Sequence, residues 1–306
     1  MDGRHHQDLV KKAQGLPPIR TAVVHPVDEV SLLGAIKAAE AKLIIPVLVG
    51  PEQKIRTVAA EAKVDLSPYE LVETEHSHAA AAQAVRLAVE RKVEALMKGS
   101  LHTDEFMGPI VHEEKLHTER RMSHVFVIDA PGYPRPLFVT DAAINIYPTL
   151  EDKVDIVQNA IDLAHALGLA MPKVAILSAI EIVSPKIKST IEAATLCKMA
   201  DRRQITGGIL DGPLAFDNAV SEEAARTKGI ISPVAGHADI LVVPDIEAGN
   251  MLAKQLEYLG GAEVSGIVVG ARVPIILTSR ADKILARLTS CAVALLLARY
   301  QREIRS

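Results

Sequence analysis

Short runs of aliphatic, often β-branched residues alternate with longer amphipathic stretches along almost the whole chain. Ile19–Val24 reads as a buried strand and 28–41 as a helix. A strand at 43–49 closes at Gly50-Pro51, and a helix at 52–62 follows. A short strand at 71–73, an Ala-rich helix at 77–91 and a strand at 94–97 that stops at Lys98-Gly99 continue the pattern. Thr103 then caps a short helix with Asp104 and Glu105 in its first turn, where the helix dipole favours acids. The second half repeats the theme. Strands at 125–128 and 137–139 flank a turn marked by Pro131, Pro134 and Pro136, and a helix at 150–167 stops at Gly168. A strand at 174–177, a helix at 188–200 and a strand at 206–210 lead into a turn at Asp211-Gly212-Pro213. A strand at 240–243, a helix at 249–259, strands at 266–269 and 275–277 and a closing helix at 282–300 complete the reading. Strands separated by helical stretches of about 10–15 residues define βαβ units and mostly parallel sheets, an α/β fold. In such sheets ligands collect beyond the carboxyl ends of the strands, so polar residues directly after strands are the candidates for chemistry.

Composition narrows this picture. A chain of 306 residues exceeds one typical core, which predicts two domains. With 49% hydrophobic and 24% charged residues it falls among globular rather than disordered chains. Aromatics make up only 3% and Trp is absent, so the core is built from Ala, Val, Ile and Leu, as buried parallel strands under Ala-rich helices require. A net charge of −4 without a long basic run excludes nucleic acid as a partner. Cys197 and Cys291 lie far apart and read as buried thiols in a reducing compartment. The first residues lack the apolar stretch of a secretory signal, and the longest apolar run, 291–298, is far short of a membrane span. The expectation is a cytoplasmic protein with no membrane partner.

Five segments place polar groups after strands. In the first, a buried strand breaks into Ser279-Arg280-Ala281-Asp282 at the start of the last helix. Ser279 and Asp282 have the spacing of a capping box, which is an ordinary structural role. Arg280 resists that explanation: a cation in the first helical turn meets the positive end of the dipole, whereas an anion bound there reverses the sign. The second segment, Met97-Lys98-Gly99-Ser100, lets a backbone N–H and an ammonium approach one anion together, against the plainer role of a solvated turn lysine. The third is Thr140-Asp141-Ala142-Ala143-Ile144-Asn145, whose plainer reading is an Asx-type turn. The fourth begins at Asp211 and the fifth at Pro244-Asp245; both also fit turns and helix caps. The histidines show no zinc-ligand spacing, and His76, His78, His112 and His117 read as surface or satisfied side chains. GxGxxG after the first strand, GxxxxGK[ST] and GxSxG are all missing, which removes the Rossmann, P-loop and hydrolase-elbow readings.

Taken in order, Leu96-Met-Lys-Gly-Ser100, Met122-Ser-His-Val125, Thr140–Asn145, 210–218, 244–250 and Thr278–Asp282 resemble the landmarks of the phosphate acetyltransferase/butyryltransferase family, from about Thr21 to Ala298. The resemblance implies a two-domain α/β/α architecture similar to that of isopropylmalate and isocitrate dehydrogenases. It implies a discontinuous first domain of 1–122 plus 275–306 and a second domain of 123–274 that makes a homodimer, with the active site in the cleft. It implies transfer of an acetyl or butyryl group between coenzyme A and phosphate. Ser279, Arg280 and Asp282 then carry catalysis. Lys98, Gly99, Ser100, Thr103, Asp141, Asn145 and Asp211 bind substrates. Ser-Arg-Ala in place of the Ser-Arg-Gly of the acetyl branch, and Gly108-Pro109 where that branch has an arginine, both lean toward the butyryl branch and leave acyl preference open. The chain also resembles the transferase half of larger proteins that carry an N-terminal hydratase-like domain, and no such domain is expected here. The chemistry asks for a base near the thiol, donors for the developing oxyanion and a phosphate site, and nothing in it requires an acyl-enzyme, a metal or an organic cofactor. Coenzyme A is a substrate. A non-catalytic acetyl-CoA-sensing module of the same fold is the alternative reading; a metal-dependent dehydrogenase on the related fold lacks a convincing carboxylate cluster.

Overall fold

Residues 3–278 and 283–304 are described by a computed structural model. The chain starts with α1 (Arg4–Gln14), β1 (Ile19–Val24), α2 (Glu29–Glu40), β2 (Ile44–Gly50), α3 (Glu52–Glu61), β3 (Glu70–Glu73), α4 (Ser77–Val89), β4 (Ala95–Lys98) and α5 (Thr103–His112). It continues with β5 (Ser123–Asp129), β6 (Leu137–Thr140), α6 (Leu150–Ala166), β7 (Lys173–Leu177), α7 (Lys188–Asp201), β8 (Ile209–Leu214), α8 (Phe216–Val220), α9 (Glu222–Thr227), β9 (Ile240–Val242) and α10 (Ile246–Tyr258). It closes with β10 (Glu263–Val269), β11 (Ile275–Ile276) and α11 (Ile284–Glu303). Two units result: a first of His6–Glu119 plus the chain from Ser265 onward, and a second of Arg120–Val264 joined by the first residues up to His5.

In the first unit the strand order is β3-β2-β1-β4-β11-β10. The pairs β2/β3, β1/β2, β1/β4 and β4/β11 are parallel, so the carboxyl ends of β1, β2 and β4 share one edge. Every residue of β1 except Arg20 is buried, and Ala80, Ala81, Ala84 and Ala88 let α4 lie close to the strands. Asp28 caps α2 by accepting the Ser31 N–H at 2.7 Å. Along α11 the residues from Thr289 to Ala298 are buried. The helix is long and apolar enough to cross a membrane by composition, yet it serves as a core helix of this unit. Each fully buried Leu of this helix contributes roughly 1.5–3 kcal/mol.

The second unit orders its strands β5-β6-β9-β7-β8, with β5/β6 antiparallel and the other pairs parallel. Its core gathers Ile128, Val139, Ala175, Leu241 and Ala253. The buried Lys153 of α6 and Glu192 of α7 form an ion pair at 2.5 Å, and Lys188 adds a second contact to Glu192 at 2.9 Å.

Four expectations shift. The second crossover falls at Val264/Ser265 rather than at Pro274, because β10 pairs antiparallel with β11 and so joins the first unit. Asp211-Gly212-Pro213 is not a turn but part of β8. Proline is tolerated there because β8 ends the strand order and pairs only with β7. Thr103 is the first helical residue of α5 and His102 holds the cap position. The helices α1, α8 and α9 were not foreseen; α1 has a short buried stripe (His6, Leu9, Ala13) among polar residues, and α8 and α9 are too short to show a periodicity.

Candidate functional site

At the carboxyl edge of the first unit, β4 ends at the buried Lys98 and the chain turns sharply through Gly99 and Ser100. Gly99 donates its N–H to the Val24 carbonyl at 2.9 Å, and Ser100 donates to the His25 carbonyl at 2.9 Å. A side chain at Gly99 would overlap the Val24 carbonyl oxygen and approach the His25 oxygen to 2.9 Å, so only glycine fits. The turn is thus fastened to the end of β1 by backbone, and Lys98 sits at a fixed height beside it.

His25 is the residue that sequence reasoning missed. It follows β1 directly, is buried, and holds φ at +57°, a left-handed conformation that a histidine adopts at a cost. Its ring nitrogen Nδ1 is buried without a hydrogen-bond partner. Burial lowers its pKa and the nearby Lys54 lowers it further, with Glu105 and Asp28 opposing. The signal was present as His25-Pro26, a polar residue after a strand, but its burial depends on distant parts of the chain.

The starts of α3, α4 and α5 surround this edge. His76 caps α4 by accepting the Ala79 N–H through Nδ1 at 3.2 Å. Glu105 of α5 accepts from the His102 N–H at 3.0 Å and from the Ser77 hydroxyl at 3.2 Å, and lies 3.4 Å from His78. These bonds, the His102 backbone N–H first, hold its carboxyl below the usual carboxylate range. The side chains of His112 and His117 contact the Gly108 and Val111 carbonyls at 2.7 and 2.8 Å, which makes both satisfied histidines. Thr103 is exposed at the start of α5.

In the second unit, Asp141 follows β6 and is buried. It accepts from the N–H groups of Ala143 (2.9 Å), Ile144 (3.0 Å) and Asn145 (3.2 Å) and from the Asn145 side-chain amide (2.6 Å). Asn145 donates also to the Met122 carbonyl at 3.0 Å and accepts from Arg121 Nε at 2.5 Å. Asp141 and Asn145 therefore hold the loop 141–145 in one shape, the Asx-type arrangement. Gly249 of α10 packs against this loop, where a Cβ would lie 2.9 Å from that of Ala142. Asp245 caps α10 through the Ala248 N–H at 2.9 Å. His124, on β5, is fully buried with Nδ1 unpartnered and lies edge-on to Phe126 at 4.4 Å. Burial pushes its pKa down to about 4, against the opposing charge of Asp141.

Asp211 lies half-buried within β8, in register with Ala175, and accepts its neighbour Gly212's N–H at 2.9 Å. Gly212 accepts from the Cys197 thiol at 3.7 Å, and burial raises that thiol to about 12. Cys197 and Cys291 are both free thiols. Ser279, Arg280 and Asp282 lie outside the described residues. On either side of them, Thr278 is buried and accepts from Arg287 Nη1 at 3.3 Å, and α11 begins at Ile284. Among the described residues, no group of His, Cys, Asp and Glu is arranged to hold a metal ion.

In parallel α/β sheets ligands bind beyond the carboxyl ends of the strands, and the lysine-glycine turn lies at that edge. Comparison with known proteins narrows the reading. The model of the phosphate acetyl/butaryl transferase family matches residues 79–295. A phosphate acetyltransferase of Rhizobium meliloti is 63% identical over 96% of this chain and 93% of its own length. A phosphate butyryltransferase of Clostridium beijerinckii is 41% identical over 96% of this chain and 98% of its own length. The crystal structure of a branched-chain phosphotransacylase from Enterococcus faecalis V583 superposes with a TM-score of 0.79 at 31% identity, covering 92% of this chain and 99% of that one. The chain belongs to the phosphate acetyl/butyryl transferase family.

Proposed function

We infer that the chain is a phosphate acyltransferase, converting acyl-CoA and phosphate to acyl phosphate and coenzyme A. The observation that carries this is family membership over nearly the full chain. The fixed Lys98-Gly99 turn supports it, since it offers an ammonium and a glycine-lined backbone at a strand end. Lys98, Gly99 and Ser100, with Arg280, hold the phosphate or the phosphoryl group. Asp282 takes the proton from the coenzyme A thiol, and the thiolate is the nucleophile in the reverse direction. Ser279 and Arg280 stabilise the charge on the carbonyl oxygen, a contribution of roughly 3–4 kcal/mol for a well-placed donor. Thr103 stands exposed at the start of α5, three residues after Ser100. Asp141 and Asn145 act by holding their loop, and Asp211 by its place on β8. Transfer is direct, in a ternary complex, without an acyl-enzyme or a cofactor.

Acetyl is the preferred group: the relative named for acetyl transfer shares more of this sequence than the one named for butyryl transfer, despite the Ala281 and Gly108-Pro109 departures. The enzyme works in the cytoplasm as a homodimer through the second unit. Support for the dimer comes from Ile182, Val183, Ile191 and Ile209, large apolar side chains exposed on the β7–α7 connection, α7 and the strand β8. A coupled assay with acetyl-, propionyl- and butyryl-CoA and phosphate tests the activity. The highest kcat/KM is expected with acetyl-CoA; no turnover with any of them would favour the non-catalytic acetyl-CoA sensor. Light scattering that finds a monomer at micromolar concentration would overturn the dimer.

A further inference from the structure

The first unit carries a cavity of about 740 Å³ at the end of its strands opposite the Lys98 turn. Val93 and Glu94 precede β4, and Val273 and Pro274 precede β11, so the cavity opens at their amino ends. Glu94 and Lys98 are four residues apart on an extended chain, roughly 13 Å at ~3.3 Å per residue. The cavity therefore lies away from the carboxyl edge where the substrate site is expected.

Its lining divides in two. The floor is apolar, with Val93, Leu116, Pro274 and Ala298 all buried. The rim is cationic: Arg91, Lys115, Arg272 and Arg302 face one carboxylate, Glu94. That carboxylate accepts the Arg20 N–H at 3.2 Å through one oxygen, and the other lies against Arg302. Arg91, Lys115 and Arg272 have no carboxylate partner among the described residues. Arg272 is held in place by Nε, which donates to the His117 carbonyl at 3.0 Å. Arg91 is fixed at a left-handed turn after α4, φ +57°, by its N–H to the Ala88 carbonyl at 3.0 Å. The three cations are solvent-exposed around an apolar floor, and an anion among them would gain charge-assisted contacts. The volume is that of a small-molecule site.

We propose that this cavity binds a nucleoside phosphate, its phosphates on Arg91, Lys115 and Arg272 and its base against the apolar floor. The site is separate from that of coenzyme A and goes beyond the transferase reading. The test is a titration of the full-length protein with fluorescent mant-ADP in the presence of saturating 4′-phosphopantetheine and phosphate, which occupy the substrate site and carry no nucleoside. Saturable binding that survives this block is expected. Adenosine should compete at least about tenfold more weakly than ADP, since it lacks the charge-assisted bonds. An Arg91→Asn/Lys115→Gln double variant should lose at least about tenfold in affinity, with acetyl transfer measured without ADP unchanged. Lys115→Glu serves as a second variant should the double variant melt early. Complete displacement of mant-ADP by 4′-phosphopantetheine and phosphate would overturn the proposal. So would undiminished binding by the folded variants, or adenosine competing as well as ADP.

Discussion

Gly99→Ala tests whether the Lys98 turn is as tightly built as its geometry states. The new methyl group would overlap the Val24 carbonyl oxygen and lie 2.9 and 3.0 Å from the His25 carbonyl oxygen and carbon. All three atoms are backbone at the end of a buried strand, so no flexible side chain can swing away. Relief requires the turn to lift, which costs about 1–3 kcal/mol as overpacking. Lifting also lengthens the Gly99-to-Val24 and Ser100-to-His25 hydrogen bonds, both 2.9 Å. Each is worth about 0.5–1.5 kcal/mol net. Together the destabilisation comes to about 2–6 kcal/mol. Urea unfolding should show it as a lower midpoint at an unchanged slope. Because Lys98 rides on the same turn, acetyl transfer should fall as well, measured at a urea-free temperature where the variant remains folded. Gly132→Ala is the control, since a Cβ there meets nothing within 4 Å, and it should stay within about 0.5 kcal/mol of the parent. A Gly99→Ala protein equally close to the parent would refute the reasoning.

Other expected outcomes bear on catalysis and stability. Asp282→Asn should lower kcat by about 10²-fold or more with little change in melting temperature, and the loss should shrink as pH rises and free thiolate becomes abundant; near-normal kcat at neutral pH would move the base elsewhere. Arg280→Lys keeps the charge but loses the planar fork, so a bidentate role predicts a large drop in kcat/KM and a simple charge role a small one. The folded pKa of His124, about 4, lies below the unfolded value, so its contribution to stability is complete above about pH 6.5 and is lost as pH falls toward 4, by up to about 3 kcal/mol. His124→Leu should flatten the stability profile across that window in urea titrations at successive pH values, and an unchanged slope would count against it. Glu192→Ala leaves Lys153 buried without its partner and should cost roughly 3–5 kcal/mol by urea unfolding, whereas a cost under about 1 kcal/mol would mean that Lys153 finds water.

The sequence alone determined the order of the strands and longer helices and the fold class, α1, α8 and α9 aside, because strand and helix periodicities are local properties of the chain. It also located the Lys98-Gly99 turn, since that turn sits next to the strand that defines it. Tertiary structure decided the rest. Asp211 looked like a turn residue because Gly-Pro follows it, yet it lies in β8, which accepts proline because it pairs on one side only. The place of 265–274 in the first unit depends on β10 pairing with β11, a contact that no local pattern announces. Asp141 reads equally as ligand or turn in sequence; its four N–H donors assign the side chain to the loop. His25 passed unnoticed because a histidine's burial, backbone angle and missing partner follow from how β1, β2 and β4 align, and that alignment joins residues some seventy positions apart in the chain, as with Val24 and Lys98.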